Sequence, residues 1–166
     1  MCLMVWVASA RPLLPVAPTS AKEPDPVSGY HCVEEVAADA PVRARFTLPN
    51  VSYVGSHEGC GCGYNSDFTW QGFARVDELT PLLGAMGDDE RTAFAQEQGS
   101  RVRLRAIVEE AMAWGEVEVF GCWDGAQGDD CLREERVEAS QFTDWLAPIE
   151  ERVRYRVCPR DPVAWP

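Results

Sequence analysis

The chain of 166 residues carries 15 basic and 27 acidic side chains, which gives a formal charge of −12 at pH 7 and a pI near 4.5. A surface of that sign repels phosphate backbones, because nucleic-acid affinity rests largely on lysine and arginine displacing counterions. Hydrophobic residues make up 46% of the chain, and a domain of this length buries roughly 70% of its unfolded surface. We therefore expect a single domain over residues 1–166 that binds no nucleic acid.

The seven cysteines predict a protein with reduced thiols. Their positions form no regular framework: Cys2, Cys32, Cys60, Cys62, Cys122, Cys131 and Cys158. Disulfide-stapled secreted domains are usually shorter and carry an even number of cysteines. The apolar run over residues 2–8 follows no basic segment and is far shorter than the roughly 20 residues that span a bilayer. These features favour a cytoplasmic protein without a membrane segment.

The first half of the chain predicts short strands around a proline-rich loop. Residues 2–8 are continuously apolar and rich in β-branched and aromatic side chains, which is typical of a central strand. Residues 11–28 contain five prolines and predict a surface loop rather than a second domain. Three more strands are expected over residues 30–36, 42–48 and 51–55. The segment 42–48 alternates apolar and polar residues, which favours a half-buried strand, although its length also allows a short helix.

Helical signals dominate the middle of the chain and strand signals its end. A helix is expected to start near Asp88, whose acidic neighbours suit the positive end of the helix dipole. Ser100 offers a cap for a second helix, and Gly115 a stop. Later elements are expected as strands over 116–122, 132–137 and 152–157 and a short helix over 140–146, with the strand at 132–137 as a possible partner of 116–122. This order predicts an α+β fold with a mostly antiparallel or mixed sheet of about six strands and two or three helices packed on it.

The most reactive segment is Gly-Ser-His-Glu-Gly-Cys-Gly-Cys-Gly, residues 55–63. In a flat strand Cys60 and Cys62 would lie about 6.5–7 Å apart on one face. Two thiolates on a tetrahedral zinc ion lie about 3.8 Å apart, as follows from Zn–S bonds of about 2.3 Å. The intervening glycines allow the backbone to leave the strand conformation. With His57 just upstream, the segment predicts a site for zinc first, or for copper.

A further ligand has to come from a distant part of the chain. Cys2 opens the first predicted strand, and Cys122 closes the strand that follows the main helix. Either reaches the site if the strand ends share one edge of the sheet. Cys2 is favoured, because its place beside the initial Met1 gives it little packing role. The candidate metal ligands are Cys2, His57, Cys60, Cys62 and Cys122.

Two other interpretations of the segment remain open. In a thiol-dependent redox enzyme or hydrolase, Cys60 is the nucleophile, His57 its base and Cys62 the resolving thiol. In a non-catalytic interaction module, the glycines only make a tight turn around two small buried thiols. Trp123 and Asp124 follow a predicted strand end, where they either form a plain turn or line a pocket beside the cysteines. The sequence does not indicate whether a partner is a protein or a small molecule.

Three stretches of the chain resemble a group of small, uncharacterised bacterial proteins. They are the opening Met-Cys-Leu-Met-Val, the segment Tyr53-Val-Gly-Ser-His-Glu-Gly-Cys-Gly-Cys-Gly63, and Cys122-Trp-Asp-Gly125. The resemblance extends over most of the chain and is weakest in the proline-rich loop and residues 126–131. It supports Cys2, His57, Cys60, Cys62 and Cys122 as one constellation and implies no reaction.

Overall fold

A six-stranded mixed sheet forms the centre of the computed structural model, which describes residues 2–16, 32–65, 86–138 and 149–158. The strands are β1 (Leu3–Ser9), β2 (Cys32–Glu35), β3 (Asn50–Gly55), β4 (Val117–Trp123), β5 (Arg133–Glu138) and β6 (Val153–Cys158). One α-helix, α1 (Asp88–Met112), and two short 3-10 helices, Pro41–Arg45 and Cys62–Tyr64, complete the described elements. Within these residues, the predicted mixed sheet of about six strands is present, and one main α-helix accompanies it.

The order of strands in the sheet is β2-β3-β1-β4-β6-β5. β1 lies near the centre and pairs antiparallel with both β3 and β4. β6 pairs antiparallel with β4, and β5 pairs with β6 in the parallel direction. A pairing of the strand at 132–137 with that at 116–122 is therefore wrong, because β6 lies between them.

The two helices predicted from Asp88 and Ser100 form one continuous helix. Ser100 is fully buried, and its hydroxyl donates to the Gln96 carbonyl one turn earlier, so it caps nothing. The helix ends at Met112, and Gly115 follows in a left-handed conformation with φ of 131°. The helix predicted over 140–146 lies outside the described residues, so the described part holds one α-helix where two or three were expected. Within that part, no helix is long and apolar enough to cross a bilayer.

The prediction of a strand over 42–48 is wrong. Pro41 starts a 3-10 helix there, and Val42 is its buried residue. The chain then turns, because the backbone N–H groups of Thr47 and Leu48 both donate to the buried Glu118 carboxylate, at 2.8 and 3.1 Å. A strand partner cannot use N–H groups that a side chain already binds.

Both faces of the sheet are covered by apolar side chains, as the alternation along β1 shows. Leu3, Val5 and Val7 belong to the larger core, which includes Leu104, Val108 and Ala111 of α1. Trp6 and Ala8 belong to a second core on the opposite face, together with Val42, Val51, Phe120 and Cys122. The sheet is thus buried on both sides, and its strand ends are the places left for a site.

Candidate metal centre

The candidate centre lies where the end of β3 meets the start of β1. Since these strands are antiparallel, the loop that follows Gly55 passes beside Cys2 and Leu3. The Gly61 N–H donates to the Leu3 carbonyl at 2.7 Å, which extends the pairing of the sheet into the loop. We call residues 56–63 the thiol loop.

Backbone groups and one hydroxyl hold the thiol loop in shape. The Ser56 N–H donates to the Cys60 carbonyl at 2.8 Å, and the fully buried Ser56 hydroxyl accepts from the Gly63 and Glu58 N–H groups at 3.1 and 3.2 Å. Gly59 takes a φ of 76°, which glycine adopts at little cost. Gly61 is needed for a different reason: a Cβ there would lie 2.6 Å from Val5 Cγ2 and 3.0 Å from the Leu3 carbonyl oxygen. The loop is therefore held mainly by backbone groups and the Ser56 hydroxyl.

Three cysteine sulfurs meet at this point. The Sγ atoms of Cys2, Cys60 and Cys62 all lie within 4.8 Å of one another. Cys2 is exposed, whereas Cys60 and Cys62 are half-buried. A small relaxation brings such a group to the spacing of thiolates around one zinc ion, about 3.8 Å. Three thiolates are soft ligands, which suit zinc or copper(I) rather than magnesium or calcium.

Burial, one backbone donor and one carboxylate surround the three sulfurs. The Leu3 N–H donates to Cys62 Sγ at 3.2 Å. The pKa of Cys60 is raised to about 12, chiefly by loss of solvation; a hydrogen bond from the Cys62 backbone opposes the rise, and the thiols of Cys62 and Cys2 contribute to it. A bound metal ion reverses this effect, because a coordinating thiol is deprotonated outright. Glu58 Oε2 lies 3.9 Å from Cys60 Sγ, so a carboxylate stands beside the group.

His57 lies outside the group of three sulfurs. Its Nδ1 is 2.8 Å from the Ser100 hydroxyl oxygen, which also accepts from the His57 backbone N–H at 3.1 Å. Because the Ser100 hydroxyl donates its hydrogen to Gln96, Nδ1 is assigned as the donor to Ser100. Burial lowers the pKa of His57, so the neutral ring is favoured at pH 7. The residue joins the thiol loop to α1.

Cys122 also lies outside the group, and the fold explains why. Its register partner in β1 is Met4, and its side chain is fully buried in the second core. Cys62 packs against the first core, on the other side of the sheet. Of the five candidates, the structure brings together Cys2, Cys60 and Cys62 and leaves His57 and Cys122 apart.

A cavity adjoins the thiol group. It has a volume of about 500 Å³, and both Cys62 and Trp123 line it. The possibility that Trp123 lines a pocket beside the cysteines is therefore realised in the structure, whereas Asp124 is absent from its wall. Sequence reasoning missed Asn65 and Ile149 in this wall, because nothing in their neighbours signals a contact between residues 84 positions apart.

Comparisons with protein-family models, with curated proteins and with solved structures find no match to this chain.

Proposed function

We propose that this protein binds one soft or borderline metal ion, zinc first, through the thiolates of Cys2, Cys60 and Cys62. The observation that carries the proposal is the approach of three sulfur atoms to within 4.8 Å of one another. These residues come from two segments separated by more than fifty positions in the sequence. Three thiols in such proximity repel one another when deprotonated, and a divalent cation removes that cost.

Three protein ligands leave a fourth coordination position on a tetrahedral zinc ion. In zinc sites of this kind the position is taken by water or by a substrate, whereas purely structural sites use four protein ligands. The Glu58 carboxylate, whose Oε2 lies 3.9 Å from Cys60 Sγ, is one candidate to fill it or to bind a metal-bound water. The donor set is therefore compatible with an open site, and copper(I) is the second candidate metal.

The alternative of a thiol-dependent redox enzyme or hydrolase has weaker support. A nucleophilic cysteine has a lowered pKa, whereas burial raises that of Cys60. The proposed base, His57, directs Nδ1 to Ser100. A purely structural role for the loop does not account for the grouping of three sulfurs. A cytoplasmic location remains part of the proposal, supported by seven cysteines without a regular framework, and so does the absence of nucleic-acid partners, supported by the acidic composition.

The test is the metal content of tag-free protein, measured by plasma mass spectrometry with thiols counted before and after chelation. We expect about one zinc per chain and two or three thiols unmasked by the chelator. Cys60→Ser and Cys62→Ser are expected to lose tight binding. Cys158→Ser, which changes a buried thiol at the end of β6, serves as the matched control and is expected to keep it.

Two results would contradict the proposal. One is protein that contains no metal and takes up none when zinc is added. The other is equal metal content in the Cys60 and Cys158 variants. In either case the next experiment is the pH dependence of alkylation at Cys60, which tests the thiol-enzyme alternative.

A further inference from the structure

The cavity beside Cys62 has the size and wall of a small-molecule site. Its volume is about 500 Å³, within the 300–1,000 Å³ that is usual for ligand pockets. Leu3 and Ile149 supply a buried apolar floor. Trp123 and Leu132 also line the cavity, and they are 37% and 67% exposed. Large apolar side chains that remain in contact with solvent around one concave site are typical of binding surfaces.

The floor of the cavity is held rigidly. Asn65 binds the backbone of Ile149 twice: its Nδ2 donates to the Ile149 carbonyl at 3.1 Å, and its Oδ1 accepts from the Ile149 N–H at 2.8 Å. Gly121 lies beneath Ile149, where a Cβ would come within 2.7 Å of Ile149 Cγ2. A preorganised floor reduces the entropic cost of binding a ligand.

The rim next to Ile149 contains a strained residue. Arg152 has a φ of 59°, the only positive φ among the non-glycine residues described. Its N–H donates to the Gly121 carbonyl at 2.6 Å, and its own carbonyl accepts from the Leu132 N–H at 2.8 Å. Strained backbone of this kind persists where its surroundings hold it and concentrates at functional sites. Here it fixes the position of Glu150 and Glu151 at the cavity.

Among the charged side chains on the cavity wall, the Glu151 carboxylate is the one available to bind a cation. Arg133 is bound by Glu135 and Glu150, at 2.6 and 2.7 Å, so its charge is already balanced. Glu151 has no hydrogen bond or ion pair with any residue in the described part of the chain. An available carboxylate beside a tryptophan and an apolar floor is complementary to an organic cation, since indole faces also attract cations.

We infer that this cavity binds a small organic ammonium ion, whose hydrocarbon part fills the apolar floor and whose positive charge pairs with Glu151. The inference goes beyond the metal proposal and does not require it. It is also compatible with zinc bound at the three cysteines, because a zinc ion and three thiolates together carry one net negative charge, which does not repel a cation.

The test uses three probes of the same length that differ in charge. They are (3-phenylpropyl)trimethylammonium, 3-phenylpropan-1-ol and 3-phenylpropionate. The quaternary ammonium has no lone pair on nitrogen and cannot coordinate a metal, so its binding is separate from metal binding. Titration calorimetry is carried out on the full chain, both zinc-loaded and chelated.

We expect the cation to bind about tenfold more tightly than the alcohol or the carboxylate in both states, the usual scale of one well-placed charge contact at a partly exposed site. Glu151→Gln is expected to reduce the affinity for the cation to about that for the alcohol and to leave the alcohol unchanged. Trp123→Ala is expected to weaken binding of the cation and the alcohol. Glu34→Gln, an exposed carboxylate on β2 at the far side of the sheet, is the matched control and is expected to have no effect.

Equal affinity for the three probes would overturn the inference, as would the absence of binding or an unchanged affinity in Glu151→Gln. An equal loss in Glu34→Gln and Glu151→Gln would also overturn it, because the attraction would then come from the overall charge. A protein that binds the cation but no zinc would refute the metal proposal alone. One that binds zinc but not the cation would refute this inference alone.

Discussion

Two loops flank β3 and use their polar groups in different ways. The anchored loop, residues 41–49, precedes the strand and is held by charged side chains. Arg43 donates to the carbonyls of Val36, Ala37 and Pro49. Glu118 accepts from the Thr47 hydroxyl at 2.6 Å and from the N–H groups of Thr47 and Leu48. Arg43 of this loop and Glu118 of β4 thus hold the loop in place.

The thiol loop, which follows β3, is held by its backbone and by the Ser56 hydroxyl. The sulfurs of Cys60 and Cys62 meet that of Cys2, and Cys62 also accepts from the Leu3 N–H at 3.2 Å. Reactive side chains that are not the main support of a loop are available for function. The comparison therefore assigns a structural role to the anchored loop and a chemical one to the thiol loop, and each prediction below tests that division.

The largest effect on stability is expected from Glu118→Ala. Glu118 is only 1% exposed, and its removal leaves the Thr47 and Leu48 N–H groups without acceptors. Unsatisfied buried donors of this kind should lower the free energy of unfolding by about 3 kcal/mol. Urea denaturation measures the loss. Metal affinity is expected to stay unchanged, because the anchored loop contributes no ligand.

Glu109→Ala is the control for that experiment. Glu109 pairs with Arg105 on the exposed side of α1, and loss of such a pair costs about 0.5 kcal/mol or less. If Glu118→Ala destabilised the protein no more than Glu109→Ala, the anchored loop would not have the structural role assigned to it.

The next largest effect is expected from Gly61→Ala on metal binding. The added Cβ would clash with Val5 Cγ2 and the Leu3 carbonyl, and so would move the thiol loop away from Cys2. Displacing the shell that supports metal ligands typically costs ten- to a hundredfold in affinity, and we expect a loss of about that size. Competition with a chromophoric chelator measures it.

Gly128→Ala is the matched control, since a Cβ there would have only an ordinary contact with Pro41 Cβ at 3.8 Å. Equal zinc affinity in the two alanine variants would mean that the position of the thiol loop does not control the site.

A smaller effect concerns Cys122 and alkaline pH. Burial raises the pKa of this thiol from 9.0 to about 11, and the charges of Glu151 and Asp129 add to the rise. The Cys122 thiol therefore loses its proton at a lower pH in the unfolded chain than in the folded protein. The contribution of Cys122 to stability is therefore present below pH 9 and lost as the pH rises to about 11.

The expected result is that metal-free wild-type protein loses stability more steeply than Cys122→Ser across this range, as measured by urea denaturation. Parallel curves for the two proteins would show that Cys122 does not titrate as a buried core thiol.

The smallest effect is expected from His57→Gln. Because His57 binds Ser100 and lies outside the group of sulfurs, the variant should still bind one zinc per chain. Its affinity should fall much less than that of Cys62→Ser, by about tenfold at most, which is the lower end for a supporting residue. Loss of binding equal to that of Cys62→Ser would make His57 a ligand.

The sequence was sufficient to predict the strands and the thiol loop, because apolar runs and glycine spacing are local signals. It was insufficient where a distant side chain decides the local conformation. Residues 42–48 alternate like a strand, but Glu118, more than seventy positions away, binds their N–H groups and prevents pairing. Ser100 has the sequence signature of a helix cap, but burial against His57 places it inside α1.

In the candidate site, too, local signals were readable from the sequence and distant contacts were not. Cys60 and Cys62 were recognisable from their spacing, and Cys2 was favoured for its place beside Met1. Which face of the sheet a cysteine occupies depends on the register of pairing. That register puts Cys122 opposite Met4 and into the second core, away from Cys62. The cavity wall at Asn65 and Ile149 depends on a contact that no local pattern encodes.

The most direct test of the central claim is a cobalt(II) titration of metal-free protein followed by absorption spectroscopy. The geometry predicts saturation at one cobalt per chain, thiolate-to-cobalt charge-transfer absorption and the visible bands of a four-coordinate tetrahedral ion. Cys62→Ser should need more cobalt to saturate, and at saturation its charge-transfer intensity per bound ion should be lower by about a third, the share of one thiolate in three. A weak, octahedral spectrum, or an intensity that is the same in wild type and Cys62→Ser, would show that Cys2, Cys60 and Cys62 do not bind metal together.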